Sequence, residues 1–291
     1  MKTDRRSLLK GIAAAAAVSV APATTALARQ RKTVRPDAVG LLYDATKCIG
    51  CKTCVVACKE EAGLPADTRA SKLYDAPDGL NEYTKNVIQL YKGEGDYSYV
   101  KKQCMHCIDP ACVGACMLGA LKKGDYGVVS YNADTCIGCR YCEVACPFNV
   151  PKFEWSKSTP KIVKCELCKD RLAKGLEPAC TTVCPAKAVI FGKYDALLAE
   201  AHDRISKHPD QYFPKVYGEE DLGGTQVLYL SHVPFEKLGF RFDDKRAVPD
   251  VQQTIQHGVY QGFAAPIALY AVLGAVIFRN RKNHPDEDQE N

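Results

Sequence analysis

Cys136, Cys139, Cys142 and Cys146 stand in the stretch CIGCRYCEVACP, three cysteines at intervals of three and a fourth after four, closed by Pro147. C-x2-C-x2-C-x3-C-P is the bacterial ferredoxin run: three thiolates of one tight loop hold three corners of an iron-sulfur cube, and the fourth, at a helix start, ligates a neighbouring cube. One run therefore calls for a second. Cys48, Cys51, Cys54 and Cys58 repeat the spacing, Cys104, Cys107, Cys112 and Cys116 stretch it to C-x2-C-x4-C-x3-C, and Cys165, Cys168, Cys180 and Cys184 stretch it to C-x2-C-x11-C-x3-C. All 16 cysteines are used, and Pro185 follows the last quartet as Pro147 follows the third.

The pattern predicts four 4Fe-4S clusters. With the ligand exchange of two-cluster ferredoxins, the first cube takes Cys48, Cys51, Cys54 and Cys184, and its mate takes Cys58, Cys165, Cys168 and Cys180. A second pair takes Cys104, Cys107, Cys112 with Cys146, and Cys136, Cys139, Cys142 with Cys116. Zinc and disulfides are the alternatives, since C-x2-C pairs are ordinary zinc ligands and an exported, cysteine-rich chain normally carries disulfides. Zinc sites usually draw two ligands from a loop, whereas two loops here offer three in a row. Cysteines bunched on one loop also suit a shared metal centre better than distant cross-links.

No substrate chemistry accompanies the cysteines. G-x-G-x-x-G, G-x4-G-K-[ST], H-E-x-x-H and G-x-S-x-G are all absent. No C-x-x-C precedes a histidine, which excludes covalent c-type haem; His106 lies inside its pair and is expected to pack or hydrogen-bond beside a cluster. Several one-electron centres without a substrate pocket describe a wire, not an enzyme. Lys47, Lys52, Arg140 and Lys164 are candidates for tuning cluster potentials, or ordinary surface groups. The formal charge is +5, and residues 29–291 hold 35 basic against 33 acidic groups. Each oxidised cubane with four thiolates adds about −2, which takes the loaded chain to about −6 and removes the electrostatic basis for nucleic-acid binding.

The elements that must position these loops are short. Val39 to Tyr43 reads as a strand into the first quartet, and Gly127 to Tyr131 as a strand into the third. Further strands are expected at Val87–Tyr91, Val189–Phe191 and Gln226–Leu230, an exposed helix at Lys169–Lys174 and an amphipathic helix at Asp195–Lys207. Residues 59–103 read as a long polar insert, a partner contact or a solvated excursion. The expected fold class is α+β: an inner two-cluster module over about 100–150 nested in an outer one from 39–58 plus 160–192, within a domain spanning 39–250.

Both ends carry targeting signals. Residues 1–28 combine Arg5-Arg6-Ser7-Leu8-Leu9-Lys10, an apolar run from Ile12 to Val20 and the small-residue site Ala26-Leu27-Ala28. The arginine pair points to the twin-arginine route, although Asp4 and Leu8 replace the more usual residues. A route that carries folded proteins spares sixteen thiols exposure in an oxidising compartment. A linker covers 29–38. Val259 to Phe278 is a 20-residue uncharged run, long enough for a hydrocarbon core of about 30 Å. Arg279, Arg281 and Lys282 then suit a cytoplasmic stop and a cytoplasmic tail over 279–291. A buried core helix is the alternative, kept open by Gln261 and Pro266. His257, just before the run, reads as an interfacial polar residue.

The quartets resemble the four-cluster ferredoxin-like subunits of respiratory enzymes such as formate dehydrogenase, nitrate reductase and dimethyl sulfoxide reductase, over about Gly40 to Gly192. With the export signal, CMHC in the second quartet, CIGCRYCEVACPFNVPK in the third, KCELC in the fourth and GGTQVLYL before a single tail anchor, nearly the whole chain is similar to the iron-sulfur subunits of hydrogenase-2 type nickel-iron hydrogenases. That resemblance implies four 4Fe-4S clusters on the sixteen cysteines. It implies a periplasmic hydrogenase small and large subunit and a polytopic quinone-binding membrane subunit as partners. Met117 departs from the proline that often follows a quartet. The alternative is the same wire in a molybdenum or tungsten enzyme such as formate dehydrogenase, whose subunit typically lacks its own cleaved signal.

Overall fold

A computed structural model describes residues 32–65, 79–93, 95–157, 160–240, 245–249 and 269–279. The described residues from 32 to 249 belong to one compact unit. In it, strand β1 (Val39–Asp44) leads to helix α1 (Thr53–Glu61) and the hairpin β2 (Asn86–Lys92) and β3 (Tyr97–Gln103). Helix α2 (Ala111–Gly114), hairpin β4 (Leu121–Lys123) and β5 (Val129–Tyr131), helix α3 (Tyr141–Ala145) and the small pair β6 (Lys152–Phe153) and β7 (Ile162–Val163) follow. Helices α4 (Lys169–Leu172) and α5 (Ala179–Thr182), strand β8 (Val189–Lys193), helix α6 (Tyr194–Lys207) and strand β9 (Val227–Leu230) complete it.

The main sheet has the order β8-β1-β9, with β1 antiparallel to β8 and parallel to β9. Because side chains alternate across a strand, β1 feeds two cores. Leu41 and Tyr43 pack with Val227 and Tyr229 on one face. Leu42 packs with Leu228 and Leu230 and with Tyr194, Leu197 and Ala201 of α6 on the other. That helix repeats its apolar positions at three and four residues, so one stripe is buried. Gly40 is required by close approach, since a Cβ there would lie 2.1 Å from the Gln226 carbonyl oxygen.

Strand register places the cysteine loops. Tyr43 pairs with Val189, so Cys48, five residues after Tyr43, and Cys184, five before Val189, leave the sheet at the same end. Leu121 pairs with Tyr131, which does the same for Cys116 and Cys136. Helix α1 lies against α5 and α2 against α3.

Several expected boundaries shift. The strand before the third quartet starts at Val129, because residues 125–127 turn in a 3-10 helix with Gly127 at φ 71°. The fourth-quartet helix stops at Leu172, and the last strand starts at Val227. The insert expected over 59–103 holds a hairpin of two seven-residue strands, with 66–78 outside the described residues. The export signal, His257 and residues 259–268 of the apolar run also lie outside them. Residues 269–279 are helical and exposed, and among the described residues no helix is long and apolar enough to cross a membrane.

Candidate iron-sulfur sites

In each cysteine loop the residue just before the second cysteine is left-handed, Gly50 (φ 70°), His106 (φ 47°), Gly138 (φ 70°) and Leu167 (φ 52°), and in three loops the turn continues at Lys52, Arg140 and Cys168. Glycine takes this conformation at no steric cost, which accounts for C-I-G-C in the first and third quartets. His106 and Leu167 take it against their side chains and are held by burial, both at 0% exposure. A further left-handed residue stands three positions after the last cysteine of three quartets, at Gly119, Asn149 and Lys187. Such turns aim successive backbone N–H groups into a concavity that suits anions, iron-sulfur centres among them.

The sulfurs receive these donors. Gly138 N–H donates to Cys136 Sγ at 3.4 Å, Leu167 N–H to Cys165 Sγ at 3.4 Å and Ala188 N–H to Cys184 Sγ at 3.3 Å. The hydroxyl of Thr53 donates to Cys51 Sγ at 3.3 Å. Hydrogen bonds of this kind stabilise thiolates and tune an iron-sulfur centre. All sixteen cysteines are free.

Four groups emerge from the packing. Cys48, Cys51, Cys54 and Cys184 line one recess, with Tyr43 and Lys101. Cys116, Cys136, Cys139 and Cys142 line another, with Phe153 and Ile162. Cys107 is pushed well up, by burial first and then by the charges of Cys146, Cys104 and Cys112. Cys180 is pushed up to about 12 by burial and by Cys58, Cys54 and Cys168, and Cys165 is raised by burial, then by Cys58, Cys104 and Cys180. The structure thus brings Cys58 to Cys165, Cys168 and Cys180, Cys146 to Cys104, Cys107 and Cys112, and each remaining fourth cysteine to a distant trio. Four thiolates are the number that a 4Fe-4S centre takes, and among the described residues no three of these side chains stand close enough to hold a single metal ion. Such thiols can be taken out of water as anions only when metal replaces the proton.

Electrostatic reach also links the groups in sequence. Cys180 acts with Cys54, Cys165 with Cys104, and Cys112 with Cys142. The adjacency runs from the first quartet's trio through the fourth's and the second's to the third's.

Of the cations singled out in the sequence, Lys164 is buried and donates to the carbonyls of Val129 and Cys165. It pulls Cys112 and Cys146 down against burial. Arg140 stacks on Trp155 at 3.8 Å beside the third quartet. Lys123, which sequence reasoning passed over, donates to the carbonyls of Cys107 and Gly127 at 2.8 Å each and to Gln226 Oε1 at 2.7 Å. Gln226, from the GGTQVLYL segment, also donates to the carbonyls of Val39 and Tyr126, tying β1 to the second quartet's surroundings. His106 accepts the Val129 N–H through Nδ1 at 3.0 Å.

Comparison with known proteins agrees with this chemistry. A family described as a 4Fe-4S dicluster domain matches residues 95–194, and a 4Fe-4S binding domain matches residues 41–62. The chain is 38% identical to the hydrogenase-2 operon protein HybA of Escherichia coli O157:H7, over 96% of each chain. It is 32% identical to the formate dehydrogenase-O iron-sulfur subunit of Escherichia coli K12 over 88% of each. It is 37% identical to the nitrate-inducible formate dehydrogenase iron-sulfur subunit of the same strain, over 67% of this chain and 68% of that one.

Proposed function

The chain belongs to the iron-sulfur protein family that contains HybA and the iron-sulfur subunits of formate dehydrogenases, and from that membership we propose that it is the four-cluster wire of a hydrogenase-2 type complex. The observation that carries this reading is the order in which the four cysteine groups adjoin, from the first quartet's trio to the fourth's, the second's and the third's. The 4Fe-4S groups would be held by Cys48, Cys51, Cys54 and Cys184; by Cys58, Cys165, Cys168 and Cys180; by Cys104, Cys107, Cys112 and Cys146; and by Cys116, Cys136, Cys139 and Cys142. Bound there, they supply one-electron centres.

The chain's own work is to order these groups, exclude water and fix the surrounding charge. It needs no catalytic residue of its own. Electrons would pass between a periplasmic hydrogenase small and large subunit and a polytopic quinone-binding membrane subunit. The twin-arginine segment and the apolar run at 259–278 support export in the folded state and a single C-terminal anchor on the periplasmic side. Iron and sulfide analysis of the anaerobically purified chain tests the cluster count: about sixteen irons are expected, and fewer than about twelve would rule out four cubanes.

A second reading, the same wire in a formate dehydrogenase, is favoured by the 32% identity across 88% of both chains. A mild-detergent pull-down with a metal assay separates the two. Nickel supports the hydrogenase partner, and molybdenum without nickel removes it while leaving the wire.

A further inference from the structure

Lys101 is fully buried in β3, and its Nζ is enclosed without a hydrogen-bond partner. A buried ammonium is among the costliest groups a fold can carry unless a counter-charge stands beside it. Other enclosed lysines are satisfied by carbonyl oxygens, the half-buried Lys123 by three acceptors and the buried Lys164 by two. Lys101 faces sulfur instead. Its side chain lines the recess of Cys48, Cys51, Cys54 and Cys184. Burial pushes its ammonium down, but the thiolates of Cys180, Cys54, Cys58 and Cys165 together hold it above its ordinary value. Those four sulfurs come from two groups: Cys54 from the first, and Cys58, Cys165 and Cys180 from the second. The strand is pinned in place, since the Tyr229 hydroxyl donates to the Lys101 carbonyl at 2.7 Å.

We propose that Lys101 is a charge-compensating residue shared by the first-quartet and fourth-quartet clusters, and that it raises the reduction potentials of both. The inference rests on the cluster assignment above. Reduction adds one electron to a cube that already carries about −2, and a fixed positive charge in a dry site favours the more negative state. The lysine keeps its proton and takes part in no bond change. The clusters of the second and third quartets have Lys123, Lys164 and Arg140 near them and would not feel its loss to the same degree.

The test is an EPR-monitored redox titration of the full chain, purified anaerobically with its copurifying subunits, as wild type and as Lys101→Met. Two midpoint potentials are expected to fall and two to stay in place at unchanged iron content. Four unmoved midpoints, or four that move together, would overturn the proposal. Should the methionine variant lose iron, Lys101→Arg decides: full iron with wild-type midpoints supports a requirement for charge. Loss of iron in Lys101→Arg as well would show that shape is what matters, and the proposal falls. A wild-type chain without cubane signals would instead sink the cluster assignment itself, before any variant is compared.

Discussion

Arg204 Nη1 reaches Asp44 Oδ2 at 3.0 Å, joining α6 to the end of β1 across 160 positions of sequence. Asp44 is fully buried and also accepts the Tyr212 hydroxyl at 2.8 Å and the Thr46 N–H at 3.0 Å. It ends the strand four residues before Cys48, so the network sets the angle at which the first cysteine loop leaves the sheet. Removing the Asp44 carboxylate leaves the Tyr212 hydroxyl without its acceptor and Arg204 with Glu200 alone, at 2.8 Å, at a cost of about 1–3 kcal/mol. Asp44→Ala is expected to lose stability on that scale in denaturant unfolding. A loss below about 1 kcal/mol would show the pair to be incidental.

The same network gives a pH dependence. Burial first, and the hydrogen bond to Asp44, raise the Tyr212 phenol above its usual 10.0, while the Thr46 hydroxyl works in the other direction. The folded chain then holds a proton that the unfolded chain releases, so the stabilisation is complete below pH 10 and is lost as pH rises through the folded value. Between pH 7 and pH 10.5, wild type should lose more stability than Tyr212→Phe. Parallel losses in paired melts would remove Tyr212 from the account.

His106 supports the backbone through one ring nitrogen, and its other, Nε2, is buried without a hydrogen-bond partner. Its Nδ1 accepts a backbone N–H, and burial, followed by Lys164 and Lys123, keeps the ring neutral. His106→Ala strands the Val129 N–H in a buried position, with an expected cost of about 1–3 kcal/mol and no loss of iron. Asparagine, which tolerates left-handed backbone and can accept the same bond, should recover part of the stability. An alanine variant short of four irons would instead make the histidine a ligand.

The cysteine quartets were legible because ligand spacing is a local property, and β1, β2 and α6 because their apolar residues repeat at the periods of strand and helix. Tyr97–Gln103 was not. Its sequence YSYVKKQ sets two lysines in the strand, and charges in a strand read as solvent-facing. Lys101 is inside because its counter-charge comes from cysteines nearby in the fold and up to 79 positions away in sequence. Lys164 was singled out for its place beside Cys165, whereas Lys123 was missed because Gln226, its partner, lies 103 residues on. The short pairs β6 and β7, two residues each, carry too little pattern to show.

Stripping the clusters should reveal the packing around the sulfurs. Cys51 and Cys139 are exposed, whereas Cys112, Cys142 and Cys180 are buried with their thiols pushed up to about 12, by burial first and then by neighbouring thiolates. Only the thiolate reacts with iodoacetamide, and an ordinary thiol has a pKa near ~8.5. At pH 8 the buried three would hold about a thousandth of the thiolate of an ordinary cysteine, before access is counted. If the stripped chain keeps its fold, peptide mass spectrometry should find Cys51 and Cys139 labelled first and Cys112 and Cys180 last. Uniform labelling would mean that the sulfur cages hold together only while metal fills them, the behaviour of small metal-dependent folds.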